Sequence, residues 1–176
     1  MKDKKLYIFV EGNDDQRFFE KIIKPKFKDK YDDVYITKYK QEKKEKVENL
    51  IKSIKARGFN YIYVSDINDS PCVRHKKQKI KEEIKNIDEG RIVIVIKEIE
   101  SWYLAGLEDN EAKRFGISKK ISMTDNLTKE DFNKLMLNKF KKSRIDFQSE
   151  VLKVFSIETA KKKNKSFKYF IEKFDC

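Results

Sequence analysis

At 176 residues, 41% charged and 39% hydrophobic, the chain is long enough for one domain with a real core, or one domain plus a small appendage. Aromatic residues at 12% exclude a disordered chain, and no apolar run approaches a membrane span. The net charge of +12 is uneven, since Lys113 to Lys173 holds 17 basic against 7 acidic residues, and such a region suits a polyanionic partner such as nucleic acid.

In chain order, Leu6-Tyr7-Ile8-Phe9-Val10 is an unbroken apolar run that predicts a strand buried on both faces. A helix is expected over 14–24, with Phe18, Phe19, Ile22 and Ile23 on one face and Pro25 as its stop. A short strand over 34–37 follows, then a helix over 43–57 with Val47, Leu50, Ile51 and Ile54 inward and Gly58 at its end. Residues 59–64 read as the third strand, ending at Ser65-Asp66. A lysine-rich helix is expected over 73–87 and a fourth strand over 92–96. A fourth helix runs from Lys97 to about Leu107. This β-α alternation predicts a mainly parallel α/β sheet with right-handed crossovers and strand order 2-1-3-4. Residues 1–107 would form that core. Residues 108–176 would form a basic helical extension packed on it, with helices near 109–115, 129–142, 146–155 and 166–174.

Cys72 and Cys176 make no disulfide framework and no metal spacing, and no signal peptide is evident, so a reducing cytoplasmic setting is expected. The single histidine, His75, rules out a His-rich metal site. The strand ends, in contrast, are acidic. Glu11 closes strand one, Asp66 closes strand three with Asn68 and Asp69 just beyond, and Glu98 and Glu100 follow strand four. Taken singly, each is an ordinary loop or cap acid. Their recurrence on one sheet edge is what stands out, because ligands of open α/β sheets bind outside the carboxyl ends of the strands. Clustered carboxylates need a cation or shared protons, and oxygen donors favour Mg²⁺ or Mn²⁺. Such an ion beside a basic surface suits phosphate-ester chemistry. Asp14 and Asp15 read as first-turn helix acids.

Val10-Glu11-Gly12, the acidic turn after strand three and Lys97-Glu98-Ile99-Glu100-Ser101-Trp102-Tyr103-Leu104-Ala105 together resemble the TOPRIM fold, in particular small proteins related to the OLD-type nucleases. Ser156 to Phe174 is similar to the tail of those proteins. Asn68 stands where the family has a second Asp, and a neutral amide is a weaker ligand than a carboxylate. The resemblance implies that Glu11 is a general acid/base or metal ligand and Asp66 the main metal ligand. Asn68 or Asp69 would complete the shell, and Glu98 or Glu100 would serve a second ion.

Trp102 reads as the core anchor of helix four, and Phe167, Phe170, Ile171 and Phe174 as core or as the seam of a homodimer. Lys161, Lys162, Lys163 and Lys165 are a solvated face or a set of phosphate contacts. Lys97 either faces a phosphate or pairs with Glu98. The expected function is a metal-dependent nuclease acting on DNA or RNA. The competing expectation is a non-catalytic nucleic-acid-binding or partner-binding module, working with a separately encoded ATPase in phage defence, since the sequence has no phosphate-binding glycine loop of its own. A phospho-acceptor receiver domain fits less well, because strand four is followed by Lys97-Glu98 rather than Ser or Thr.

Overall fold

The computed structural model of the chain describes residues 3–136 and 143–174. Strand and helix alternate through β1 (Lys5–Val10), α1 (Asn13–Phe18), β2 (Asp33–Lys38), α2 (Lys44–Ala56), β3 (Asn60–Asp66), α3 (Val73–Glu83) and β4 (Ile92–Val95). The strands form one four-stranded parallel sheet in the order β2-β1-β3-β4, the α/β topology expected from the apolar pattern. Helices α4 (Glu100–Ala105), α5 (Asp109–Arg114), α6 (Lys129–Leu135), α7 (Arg144–Lys153), α8 (Ile157–Lys163) and α9 (Lys165–Phe174) follow. Residues 137–142 of the expected 129–142 helix lie outside the described residues, as does Cys176. Among the described residues no helix is long and apolar enough to cross a membrane.

Two compact units divide the chain, one ending at Ile94 and the other beginning at Val95. The expected boundary was after 107. The helix α4 groups with the C-terminal helices because the Trp102 indole N–H donates to Ser166 Oγ at 2.8 Å, and its ring meets Phe167 edge-on at 5.2 Å. Trp102, Phe167 and Phe170 are fully buried, so they are core.

In the first unit the period-2 pattern assigns the two faces of the sheet. Phe9, Tyr61, Tyr63, Ile92 and Ile94 share one face with Val47, Ile51 and Ile54 of α2 and Ile80 of α3. Leu6, Ile8, Val10, Ile62 and Val64 are buried on the other, to which a right-handed crossover carries α1 with buried Phe18. Each fully buried side chain of this size contributes roughly 1.5–3 kcal/mol.

Four helices differ from expectation. Pro25 does not stop the first helix. After Phe18 the chain passes through a π-helical turn, Phe19–Ile23, into a 3₁₀ turn, Lys24–Phe27, whose first turn accommodates the missing proline N–H. The helix α3 stops at Glu83, and Ile84 turns extended. The following segment buries Ile84 and Ile87, while Lys85 N–H donates to Glu48 at 2.8 Å. The helix α4 starts late because Lys97 takes a left-handed conformation, with φ of 64°. In the second unit α8 was not foreseen. Ser156 caps it by accepting the Thr159 N–H, but of its own residues only Ala160 is buried, so it carries no apolar stripe.

Candidate active site

The register of the sheet sets the site. Phe9 pairs with Tyr63 on β3, and Val10 pairs with Lys38 on β2. One step further, Glu11 falls between Ser65 and Tyr39, on the face that carries Phe9 and Tyr63. Glu11 is buried, with 8% of the residue exposed. The Ser65 hydroxyl donates to Glu11 Oε1 at 2.9 Å, and the Asp66 backbone N–H donates to the same oxygen, also at 2.9 Å. The Lys40 ammonium lies 3.3 Å from Oε2. The Lys40 side chain is 69% exposed, so this bond closes on the solvent side. The negative charge of Glu11, and then its hydrogen bond, hold the Lys40 ammonium above the ordinary lysine range, and Asp66 and Asp15 add to the effect.

Beside Glu11, Tyr39 stacks on Tyr63 with ring centroids 4.4 Å apart and donates its hydroxyl to the Val64 carbonyl at 3.1 Å. Burial pushes both phenols up, the nearby Glu11 charge contributing. They stay neutral and form a firm wall. Asp15 is a first-turn acid as expected, and Gly12 N–H donates to its Oδ2 at 3.1 Å. It is also buried, so the edge holds one more carboxylate than the strand ends supply.

Of the acids singled out by sequence, Asp66 meets Glu11, and it does so through its backbone N–H. Asn68 is exposed in a turn with φ of 48°, its amide donating back to the Asp66 carbonyl at 3.3 Å. Asp69 is exposed in the same turn. Glu98 and Glu100 find partners inside the second unit. Glu98 accepts the Lys129 N–H at the start of α6. Glu100 is buried and paired with Arg144, whose guanidinium also lies over the Phe132 ring at 5.5 Å. Among the described residues no group of three or more His, Cys, Asp or Glu side chains is close enough to hold a metal. Glu11 and Asp66 stand at neighbouring strand ends, with Glu11 Oε2 on the lysine side. Their carboxylate oxygens are the hard donors that Mg²⁺ and Mn²⁺ prefer.

The lysines divide in a similar way. Lys163 donates to the Leu107 carbonyl at 2.6 Å with its side chain only 12% exposed, and Lys161 lies 3.3 Å from Glu158. Lys162, Lys165 and Lys97 are exposed. Sequence reasoning passed over Ser65, Tyr39 and Lys40. Ser65 precedes Asp66 directly, and the alternation that points Tyr63 at Phe9 also points Ser65 at Glu11. Lys40 carried no signal, because only the fold brings it to Glu11. Set beside known proteins, the chain matches no family model, no curated protein and no solved structure.

Proposed function

We propose that the chain is a divalent-cation-dependent phosphodiesterase of nucleic acid, with its reacting edge at Glu11 and Asp66. The observation that supports this best is Glu11 itself. It is a buried carboxylate at the end of an inner parallel strand, with one oxygen fixed by two donors and the other turned toward an exposed lysine. Burying a carboxylate costs free energy, and open α/β sheets bind their ligands at this edge, which favours a functional role for Glu11.

Glu11 and Asp66 would hold the Mg²⁺ or Mn²⁺, which when bound would polarise a phosphoryl oxygen and lower the pKa of attacking water. Ser65 and the Asp66 N–H keep Glu11 oriented, so that Oε2 is the oxygen available to take a proton or a ligand. Lys40 supplies positive charge beside the phosphate. The reaction belongs in the cytoplasm, in keeping with the sparse cysteines.

The test is incubation of the full chain with end-labelled single- and double-stranded DNA and RNA in Mg²⁺ or Mn²⁺. Cleavage that stops with EDTA, and in Glu11→Gln and Asp66→Asn, is the expected result. No cleavage with either ion, or full activity in both variants, would sink the assignment. A second reading has its own observation. The Lys40 ammonium already balances Glu11, and Asn68 folds back on the Asp66 carbonyl. That state suits a binding module without catalysis, acting with a separately encoded ATPase in phage defence. Nucleic-acid binding undiminished by EDTA, with no cleavage, would favour it.

A further inference from the structure

The helix α3 has two electrostatic parts. Its C-terminal part is neutralised: Lys81 lies 2.8 Å from Glu89, and Glu83 lies 3.9 Å from Lys44. Its first two turns hold Arg74, His75, Lys76, Lys77 and Lys79, with no acid in the first turn. None of these five side chains makes a hydrogen bond or ion pair among the described residues. Arg74, His75 and Lys79 are exposed, and Lys76 and Lys77 half-buried.

For folding, this is the wrong end of a helix for cations. The N-terminus carries partial positive charge, and like charges one turn apart repel. The cap is weak as well, a Cys72 sulfur accepting the His75 N–H at 3.5 Å. The chain has 30 acidic residues and places none in that turn. A local rule broken with no folding gain marks a functional surface. The surface also adjoins the candidate site. The loop over 67–72 joins Asp66 directly to α3, and Ile80 packs with Phe9 and Tyr63 on the face to which Glu11 turns.

We propose that the first two turns of α3 dock the phosphate backbone of a nucleic-acid strand, an inference that rests on nucleic acid being the substrate of the Glu11–Asp66 edge. Arg74 supplies a forked donor, and the lysines supply point charges. This moves the principal contact surface from Lys161 and Lys163, which are engaged within their own unit, to the unit that carries Glu11.

Fluorescence anisotropy with short labelled oligonucleotides in EDTA, over about 50–200 mM salt, tests the inference. The variant Arg74→Gln/Lys77→Gln/Lys79→Gln should lower the duplex log–log salt slope by about 3 and weaken binding at least roughly ten-fold. Its melting temperature should hold or rise, since it removes repulsion at the helix start. Should it fail to fold, Lys79→Gln alone on the exposed flank should lower the slope by about 1. An unchanged slope in the triple variant, with loss in Lys162→Gln/Lys165→Gln instead, would overturn the docking face and leave the nuclease reading intact. Equal binding to phosphatidylserine vesicles, lost in the same variant, would assign the patch to a membrane surface and overturn it too. No oligonucleotide binding at the lowest salt would bring down the nucleic-acid reading itself, and the docking face with it.

Discussion

Glu11 and Glu100 look alike in the sequence, each a glutamate just past an apolar strand, but the protein treats them differently. Glu100 is buried with Arg144, a guanidinium that is itself mostly covered and lies over Phe132. Glu11 is held by a hydroxyl, a backbone N–H and a lysine that reaches in from solvent. The first arrangement is closed, because both charged side chains are largely covered. The second can open, because its one cationic partner can swing into water. A strand-end carboxylate is therefore a candidate for chemistry when its partners are neutral or removable, and a structural element when a buried cation owns it.

Stability measurements should separate the two. Glu100→Gln removes the charge from the buried carboxylate that pairs with Arg144 and should cost about 3–5 kcal/mol in urea unfolding. A cost below about 1 kcal/mol would erase the distinction. Gly106→Ala is a calibration within the second unit. A Cβ there would sit 2.2–2.6 Å from the Phe155 ring, so we expect a loss of about 1–3 kcal/mol by overpacking. Glu11→Gln should cost only about 1 kcal/mol or less, because the amide oxygen still accepts from Ser65 and Asp66 and only an exposed ion pair is lost. The same substitution should abolish Mn²⁺ binding followed by electron paramagnetic resonance. Lys40→Met should leave stability within about 1 kcal/mol of the parent and tighten Mn²⁺ binding roughly 3- to 10-fold, by removing a competing cation. Unaltered Mn²⁺ affinity would mean that Lys40 does not guard Oε2.

The smallest expected effects concern pH. Burial raises the Tyr61 phenol to about 12, so the folded state keeps a proton that the unfolded state loses near 10. The stability this contributes is complete below pH 10 and is lost as pH rises through about 12. Asp88 has the opposite sign. Hydrogen bonds from Lys55 and Tyr61 hold its carboxyl below the ordinary range, so its contribution is present at neutral pH and is lost as pH falls through its folded value. Asp88→Asn should flatten the acid limb of stability and also alter the alkaline limb, because the Asp88 carboxylate accepts the Tyr61 hydrogen bond and its charge helps to hold that phenol up.

The parallel sheet was legible because its inner strands are buried on both faces and therefore apolar without interruption. Such runs also fix where a strand ends, which is why Glu11 and Asp66 fall at one edge, the Asp66 backbone N–H on the Glu11 carboxylate. The rest depended on contacts distant in sequence. Nothing in Lys97-Glu98-Ile99-Glu100 announces Arg144, which stands 44 residues along and claims Glu100. Nothing near Lys40 announces Glu11, 29 residues earlier. The lysine run at 161–163 looked like one basic patch, but Lys163 serves its own unit by bonding the Leu107 carbonyl. Charge counts locate basic residues, and only the fold shows which of them are already engaged.

The buried indole of Trp102 has a practical consequence. It is the only tryptophan in the chain and belongs to the second unit, whereas six of the eight tyrosines belong to the first. Intrinsic tryptophan emission therefore reports one unit, and tyrosinate absorbance at alkaline pH reports mainly the other. The protein carries two optical channels without any label. Their melting curves will coincide if the units unfold together and part if each keeps its own transition.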